Sequence, residues 1–200
     1  MAGHTNPSRC FGDGDPLYER YHDYEWGRPV TDERGLFERI CLEAFQSGLS
    51  WRIVLGKRAG MRAAFAGFDP AAVAAFDEED VMRLLGDASV IRNRSKIEAT
   101  IANARATIAL RKGAGLVHLM WSQAPDLSSA PDGFDELPSA TLASARLARS
   151  LKSWGFRFVG PTTVYATMQA VGLVNDHLAG CPVRDEVEAA QKEARRALGL

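Results

Sequence analysis

No apolar run in the chain approaches the roughly 20 residues that a helix needs to cross a bilayer, so a membrane span is not expected. The polar opening MAGHTNPSRC lacks the continuous apolar stretch of a secretory signal, and the expected location is the cytoplasm. Cysteine is scarce. Cys10, Cys41 and Cys181 cannot all pair within the chain, and a reducing compartment disfavours disulfides in any case, so thiol or metal chemistry is the better expectation. A charge excess of either sign is also missing: the formal net charge of -1 gives no global sign of nucleic-acid binding, which usually shows as a basic domain. Strand-like alternation of apolar and polar residues is absent, which argues against a β-rich fold. Apolar residues, at 46%, are plentiful enough to offset the entropy of ordering, so the chain is expected to fold, the ends excepted.

The pattern that is present is helical. Asp15 before Pro16 predicts a cap and first turn for a short helix through Tyr21. After Asp32, the positions Leu36, Phe37, Ile40, Cys41, Ala44 and Phe45 repeat at helical spacing and stop near Gly48. Ser50 can cap a helix through Val54, which Gly56 and Gly60 are expected to interrupt. Asp69-Pro70 and Asp77 open two further short helices, and residues 93 to 111 form the longest candidate. Ser122 to Ser139, rich in proline, serine and acids, reads as a long surface loop. Helices over 141 to 154 and 161 to 171 follow, separated by GFRFVG, and the tail from Val183 reads as an exposed, fraying helix.

Charge is uneven locally. From Arg92 to Lys112 bases outnumber acids six to one, and Arg146, Arg149, Lys152 and Arg157 form a second stretch without an acid. Each can be a DNA-facing side or an ordinary solvated helix face.

Four residues have the chemistry of a closed tetrahedral zinc site: Cys10 and His22 near one end, His177 and Cys181 near the other. The His-x3-Cys spacing in NDHLAGCP can aim both side chains at one point. Spacing alone equally allows unrelated pairs, with cysteine packed as a small hydrophobe, as Cys41 is expected to be. His4 and His118 have no partner nearby and receive no role.

Glu43 lies at the edge of its helix's apolar stripe, where a carboxylate is partly desolvated and needs a donor or a cation. A structural salt bridge would satisfy it. So would a planar cationic ligand held between aromatic rings, for which Tyr21 and Trp51 are candidates. In GFRFVGPTTVYATM, the glycine-containing turn at Gly160 and the helix opened by Thr162 and Thr163 can present backbone N–H groups to a DNA phosphate, or can simply pack two helices tightly.

The segments DPLYERYHDYEWG at 15 to 27, LFERICLEAFQSGLSW at 36 to 51, IRNRSKIEATIANA at 91 to 104 and GFRFVGPTTVYATMQAVGLVNDH at 155 to 177 together resemble the DNA-3-methyladenine glycosylase I family, from Cys10 to Cys181. The resemblance implies an all-α fold of two helical lobes of the helix-hairpin-helix type, over residues 10 to 182, between a flexible N-terminus (1 to 9) and the helical tail (183 to 200). It implies one structural zinc held by Cys10, His22, His177 and Cys181, joining the N- and C-terminal segments. It also implies that Glu43 recognises and acts on the base, that Tyr21 and Trp51 line its pocket, and that Gly48 and Leu49 enter the gap left in the duplex. Trp26 matches the family too, in a place that can be purely structural. The expected substrate is alkylated double-stranded DNA, the product is 3-methyladenine, and the enzyme is a monomer without lyase activity. One departure is CFGDGDP at the first zinc ligand, where related sequences often carry an aromatic shortly afterwards; here Phe11 adjoins Cys10, and the resemblance leaves the contribution of this loop to the pocket open. Asp176, beside His177, is left outside the catalytic set. A zinc-stabilised module that binds DNA damage without catalysis is the alternative that the hairpin and basic stretches alone allow.

Overall fold

A long buried helix organises the molecule. In the computed structural model, which describes residues 9–126 and 129–200, ten α-helices and no strand occur among the described residues. None of these helices is long and apolar enough to cross a membrane. In chain order they are α1 (Pro16–Tyr24), α2 (Glu33–Gln46), α3 (Trp51–Ala64), α4 (Pro70–Ala74), α5 (Glu78–Gly86), α6 (Arg94–Leu110), α7 (Gly115–Trp121), α8 (Leu142–Ser153), α9 (Pro161–Ala170) and α10 (Arg184–Ala197). Every residue of α2 from Leu36 to Phe45 is buried, because it packs at once on α3, α6, α7 and α9. Helices α4, α5 and α7 gather on α6, while α8 pairs with α9, and one continuous apolar core runs through both groups. Polar side chains between Leu36 and Phe45, among them Glu38, Arg39 and Glu43, are therefore carried into the interior.

Caps set the helix starts as expected from sequence. The Asp15 carboxylate accepts from the N–H groups of Leu17 and Tyr18, Asp32 caps α2 through Gly35, and Asp69 and Asp77 cap α4 and α5. The expected interruption of α3 does not occur. At Gly60 a Cβ would come within 2.5 Å of the Ser89 Cβ, so this glycine serves close packing inside a continuous helix. Helix α7 has no counterpart in the sequence reading.

The tail is also corrected. It is helical, but α10 docks on the core, with Val187 and Gln191 fully buried and Gln191 donating to the Val174 carbonyl at 2.9 Å. Of the segment expected to be a flexible N-terminus, residues 1–8 lie outside the described residues, whereas Arg9 is held by the Asp23 carboxylate at 2.9 Å.

Candidate active site and metal cluster

Two features meet on α1. Its residue Tyr21 faces a cavity of about 440 Å³, and the next residue, His22, faces a cluster that draws both chain ends together. The cavity walls come from α1 (Tyr18, Tyr21), α2 (Glu43, Gln46), the start of α3 (Trp51), α9 (Ala166, Gln169) and the preceding or intervening loops (Phe11, Trp26, Phe134, Leu137). Tyr21 and Trp51 rings stand 5.3 Å apart between centroids. The Trp51 indole N–H is buried and has no partner among the described residues, so an acceptor on a ligand would satisfy it.

Glu43 is 5% exposed, and among the described residues it has neither an ion pair nor a hydrogen bond. The structural salt bridge that the sequence allowed is thus not made. Arg39, one turn earlier on α2, is engaged instead by Glu25 at 2.6 Å, which Arg58 also grips at 2.7 Å, and its guanidinium lies 5.8 Å over the Tyr21 ring. Burial works against Glu25, yet its two arginines hold the carboxyl down at about 2. Burial pushes Glu43 up to about 8, with the Arg39 charge pulling the other way. In the free protein at neutral pH this carboxyl holds its proton, and a cation in the cavity would release it.

A stability consequence follows. A group whose pKa rises from 4.5 to about 8 on folding favours the folded state fully below pH 4.5. That contribution is lost as pH climbs toward 8, at up to roughly 1.4 kcal/mol per pH unit. Glu43→Gln removes it. Relative to the variant, the parent should therefore lose thermal stability between pH 5 and 8 and no further above, as read from melting temperatures across that range; a constant difference would contradict the buried, unpaired carboxyl.

The second feature is built from Cys10, His22, His177 and Cys181, whose ligand atoms all lie within 4.8 Å of one another. Cys181 Sγ stands 3.5 Å from His22 Nε2 and 3.3 Å from His177 Nδ1, and Cys10 Sγ stands 3.6 Å from His177 Nδ1. A tetrahedral zinc with ordinary bond lengths separates its sulfur and nitrogen ligands by roughly 3.6 Å, so the donor set fits. The remaining ring nitrogens are oriented from behind: His22 Nδ1 by Asp23 Oδ1 at 2.8 Å and His177 Nε2 by the Trp26 carbonyl at 3.0 Å. Burial brings His177 down to about 4, which keeps its imidazole neutral and able to ligate. Burial raises the Cys10 thiol. A bound cation would reverse that preference by stabilising the thiolate. Trp26 therefore serves both features, lining the cavity with its ring and orienting a ligand with its carbonyl.

The contribution of the loop after Cys10, open in the sequence, is a direct one. Phe11 lines the cavity and packs edge-on against Tyr18, His22 and Trp26, at 5.0 Å from the latter two. Gln46 and Gln169 were missed. Gln46 had a signal, one turn beyond Glu43 on the same helix, whereas Phe134 and Leu137 come from the long loop and had none. Asp176 accepts from Tyr165 and Gln169, each at 2.7 Å, so it supports a wall residue without itself lining the cavity.

A second cavity of about 310 Å³ continues from Glu43 and Gln46 to the surface between two turns. One is Ser47, Gly48 and Leu49, where Gly48 adopts φ +79°, which favours glycine, and leaves Leu49 37% exposed. The other is the start of α9 at Thr162 and Thr163. Gly160 gives α9 no side-chain cap, so its first N–H groups are unfilled by the helix. The two basic stretches differ. Arg94 pairs with Glu78, Arg111 with Glu33, Arg105 binds the Ala74 and Phe76 carbonyls, and Lys96 is buried, so these members of the first stretch hold structure. Arg146, Arg149, Lys152 and Arg157 are exposed on and beside α8 and form no ion pair among the described residues.

A family profile described as methyladenine glycosylase matches residues 11–185. The sequence is 52% identical over 171 residues to DNA-3-methyladenine glycosylase 1 of Escherichia coli strain K12, covering 84% of this chain and 91% of that protein. It is 43% identical to DNA-3-methyladenine glycosylase of Haemophilus influenzae, covering 84% and 92%. The fold is similar, with a TM-score of 0.84 and 31% identity over 88% of this chain and 95% of the other, to 3-methyladenine DNA glycosylase I from Staphylococcus aureus in a structure concerned with 3-methyladenine recognition.

Proposed function

The chain belongs to the methyladenine glycosylase family, and from that premise we infer that it is a DNA repair enzyme that excises 3-methyladenine from alkylated DNA by hydrolysing the bond between base and sugar. The observation that carries the reading is the unpaired Glu43 carboxyl at the base of an aromatic cavity that opens between two turns suited to DNA. Alkylation at N3 makes adenine cationic and a good leaving group, so a strong general acid is not required. Extruding the base costs a few kcal/mol, least for a damaged nucleotide. Stacking on Tyr21 and Trp51 and a charge-assisted hydrogen bond to Glu43 offset that cost. Arrival of the cation brings Glu43 to its carboxylate form. Normal adenine, without the charge, leaves a neutral acid in a dry pocket and gains less, while water completes the hydrolysis.

In this proposal the Gly48–Leu49 turn fills the gap in the duplex, and Gly160, Thr162 and Thr163 receive a phosphate as the hairpin of a helix-hairpin-helix enzyme. Arg146, Arg149, Lys152 and Arg157 add sequence-independent attraction to the backbone. Zinc at Cys10, His22, His177 and Cys181 holds structure, since four protein ligands leave no open position for water. The proposal keeps the cytoplasmic, monomeric protein expected from the sequence.

The deciding experiment is incubation with a methylated duplex. Release of free 3-methyladenine is expected; tight binding without release would support the non-catalytic damage-binding module. The strand should stay intact. A lyase needs an amine to attack the sugar, and Gly160 is followed by Pro161, Thr162 and Thr163 without a lysine. Borohydride should trap no covalent enzyme–DNA adduct, and a reproducible adduct would overturn the monofunctional assignment.

A further inference from the structure

Helix α6 lines neither cavity, yet two of its buried polar residues grip the turn after α2 that borders the opening and the segment before α9 that leads to its other border. Lys96 and Asn103 stand seven positions apart, two turns along one face. Lys96 Nζ donates to the Phe45 carbonyl at 2.8 Å and the Ser47 carbonyl at 2.5 Å, closing the end of α2 where the Gly48 turn begins. Asn103, fully buried, accepts from the Arg157 N–H at 2.7 Å and donates to the Arg157 carbonyl at 3.3 Å. This two-point grip fixes the backbone between α8 and α9, beside Phe158, whose φ of +56° is unusual for a side-chain-bearing residue. Burying an ammonium costs more than burying a methylene chain, so apolar packing alone does not explain Lys96.

We propose that Lys96 and Asn103 are positioning residues that fix the spacing between the Gly48–Leu49 turn and the α8–α9 hairpin, so that both engage one duplex with Glu43 between them. The proposal rests on the glycosylase reading and deepens it. Neither residue touches the base. The walls that hold the base belong to other helices, so loosening a turn separates work on duplex DNA from binding of the free base.

The full chain and its Lys96→Met and Asn103→Leu variants are compared, after thermal melting has set a temperature at which each is folded. Three readouts are taken: affinity for free 3-methyladenine by tryptophan fluorescence, single-turnover excision from a methylated duplex at saturating enzyme, and the signal of 2-aminopurine opposite the lesion, which rises when a side chain enters the stack. Base affinity should stay within about twofold while excision falls about tenfold or more, since small misplacements near a reacting centre are costly. The 2-aminopurine signal should fall with it, and Lys96→Arg should recover most of both. Folded variants that excise at the parental rate, or that lose base affinity in step with excision, would overturn the assignment. If Lys96→Met or Asn103→Leu does not fold, Lys96→Gln decides, because it keeps a neutral N–H donor on the side chain while shortening its reach to the Phe45 and Ser47 carbonyls. A parent chain that releases no base would defeat the glycosylase reading, whereas the 2-aminopurine comparison would still decide the role of α6.

Discussion

Replacing Cys181 with serine is expected to strip the metal from the chain and lower its melting temperature by about 10 °C or more. The parent should carry one zinc per molecule. The cluster joins residues as far apart in sequence as Cys10 and His177, separated by 167 positions, so one cation closes almost the whole chain. Serine is a poor zinc ligand, and loss of the metal leaves two oriented imidazoles and the half-buried Cys10 thiol facing each other without the charge that reconciles them. A loss of roughly 3 to 5 kcal/mol, well under what structural zinc supplies in small metal-dependent domains, corresponds to that shift for a chain of this size. Trp26 and Phe11 link the cluster to the cavity wall, so excision should fall as well. Metal analysis and melting of the same preparations decide it: metal-free protein with the parental melting temperature would refute the closure of the chain ends.

The parts of the fold legible in the sequence were those written in local chemistry. Asp-Pro pairs and the apolar repeat from Leu36 to Phe45 specify helix starts and a buried face without any tertiary knowledge. Helix α7 was missed because Gly115 to Trp121 is short, has no capping side chain and shows little polar face. The burial of α10 was missed because its inner face is Val187, Gln191 and Ala194, too weakly apolar to announce a core contact. In the site, Glu43, Tyr21 and Trp51 were found as candidates and do share one cavity, and the four metal candidates do converge. The place of Phe11 stayed undecided because the reach of a loop depends on its path, which residue types do not record. The basic stretch at 92 to 112 stayed open between two readings for a similar reason: charge counts along a helix cannot tell a cation turned to solvent from one paired with Glu33 or Glu78 on another element.

The second large effect concerns Glu43 itself. Glu43→Gln keeps the shape of the side chain, removes its capacity for negative charge and relieves the desolvation that holds the acid form at neutral pH, so it should fold at least as stably as the parent. A hydrogen bond to a charged group contributes roughly 1.5 to 3 kcal/mol, which sets the expected loss of excision at about one to two powers of ten. Trp51→Ala removes stacking surface and packing together, and its loss of activity should come with a loss of stability. The most direct measurement is therefore the single-turnover rate at which Glu43→Gln, shown by melting to be folded, releases 3-methyladenine from a methylated duplex. A rate about 10- to 100-fold below the parent, with stability retained, is the expected result; a variant that melts normally and excises as fast as the parent would show that the carboxylate does not recognise the base.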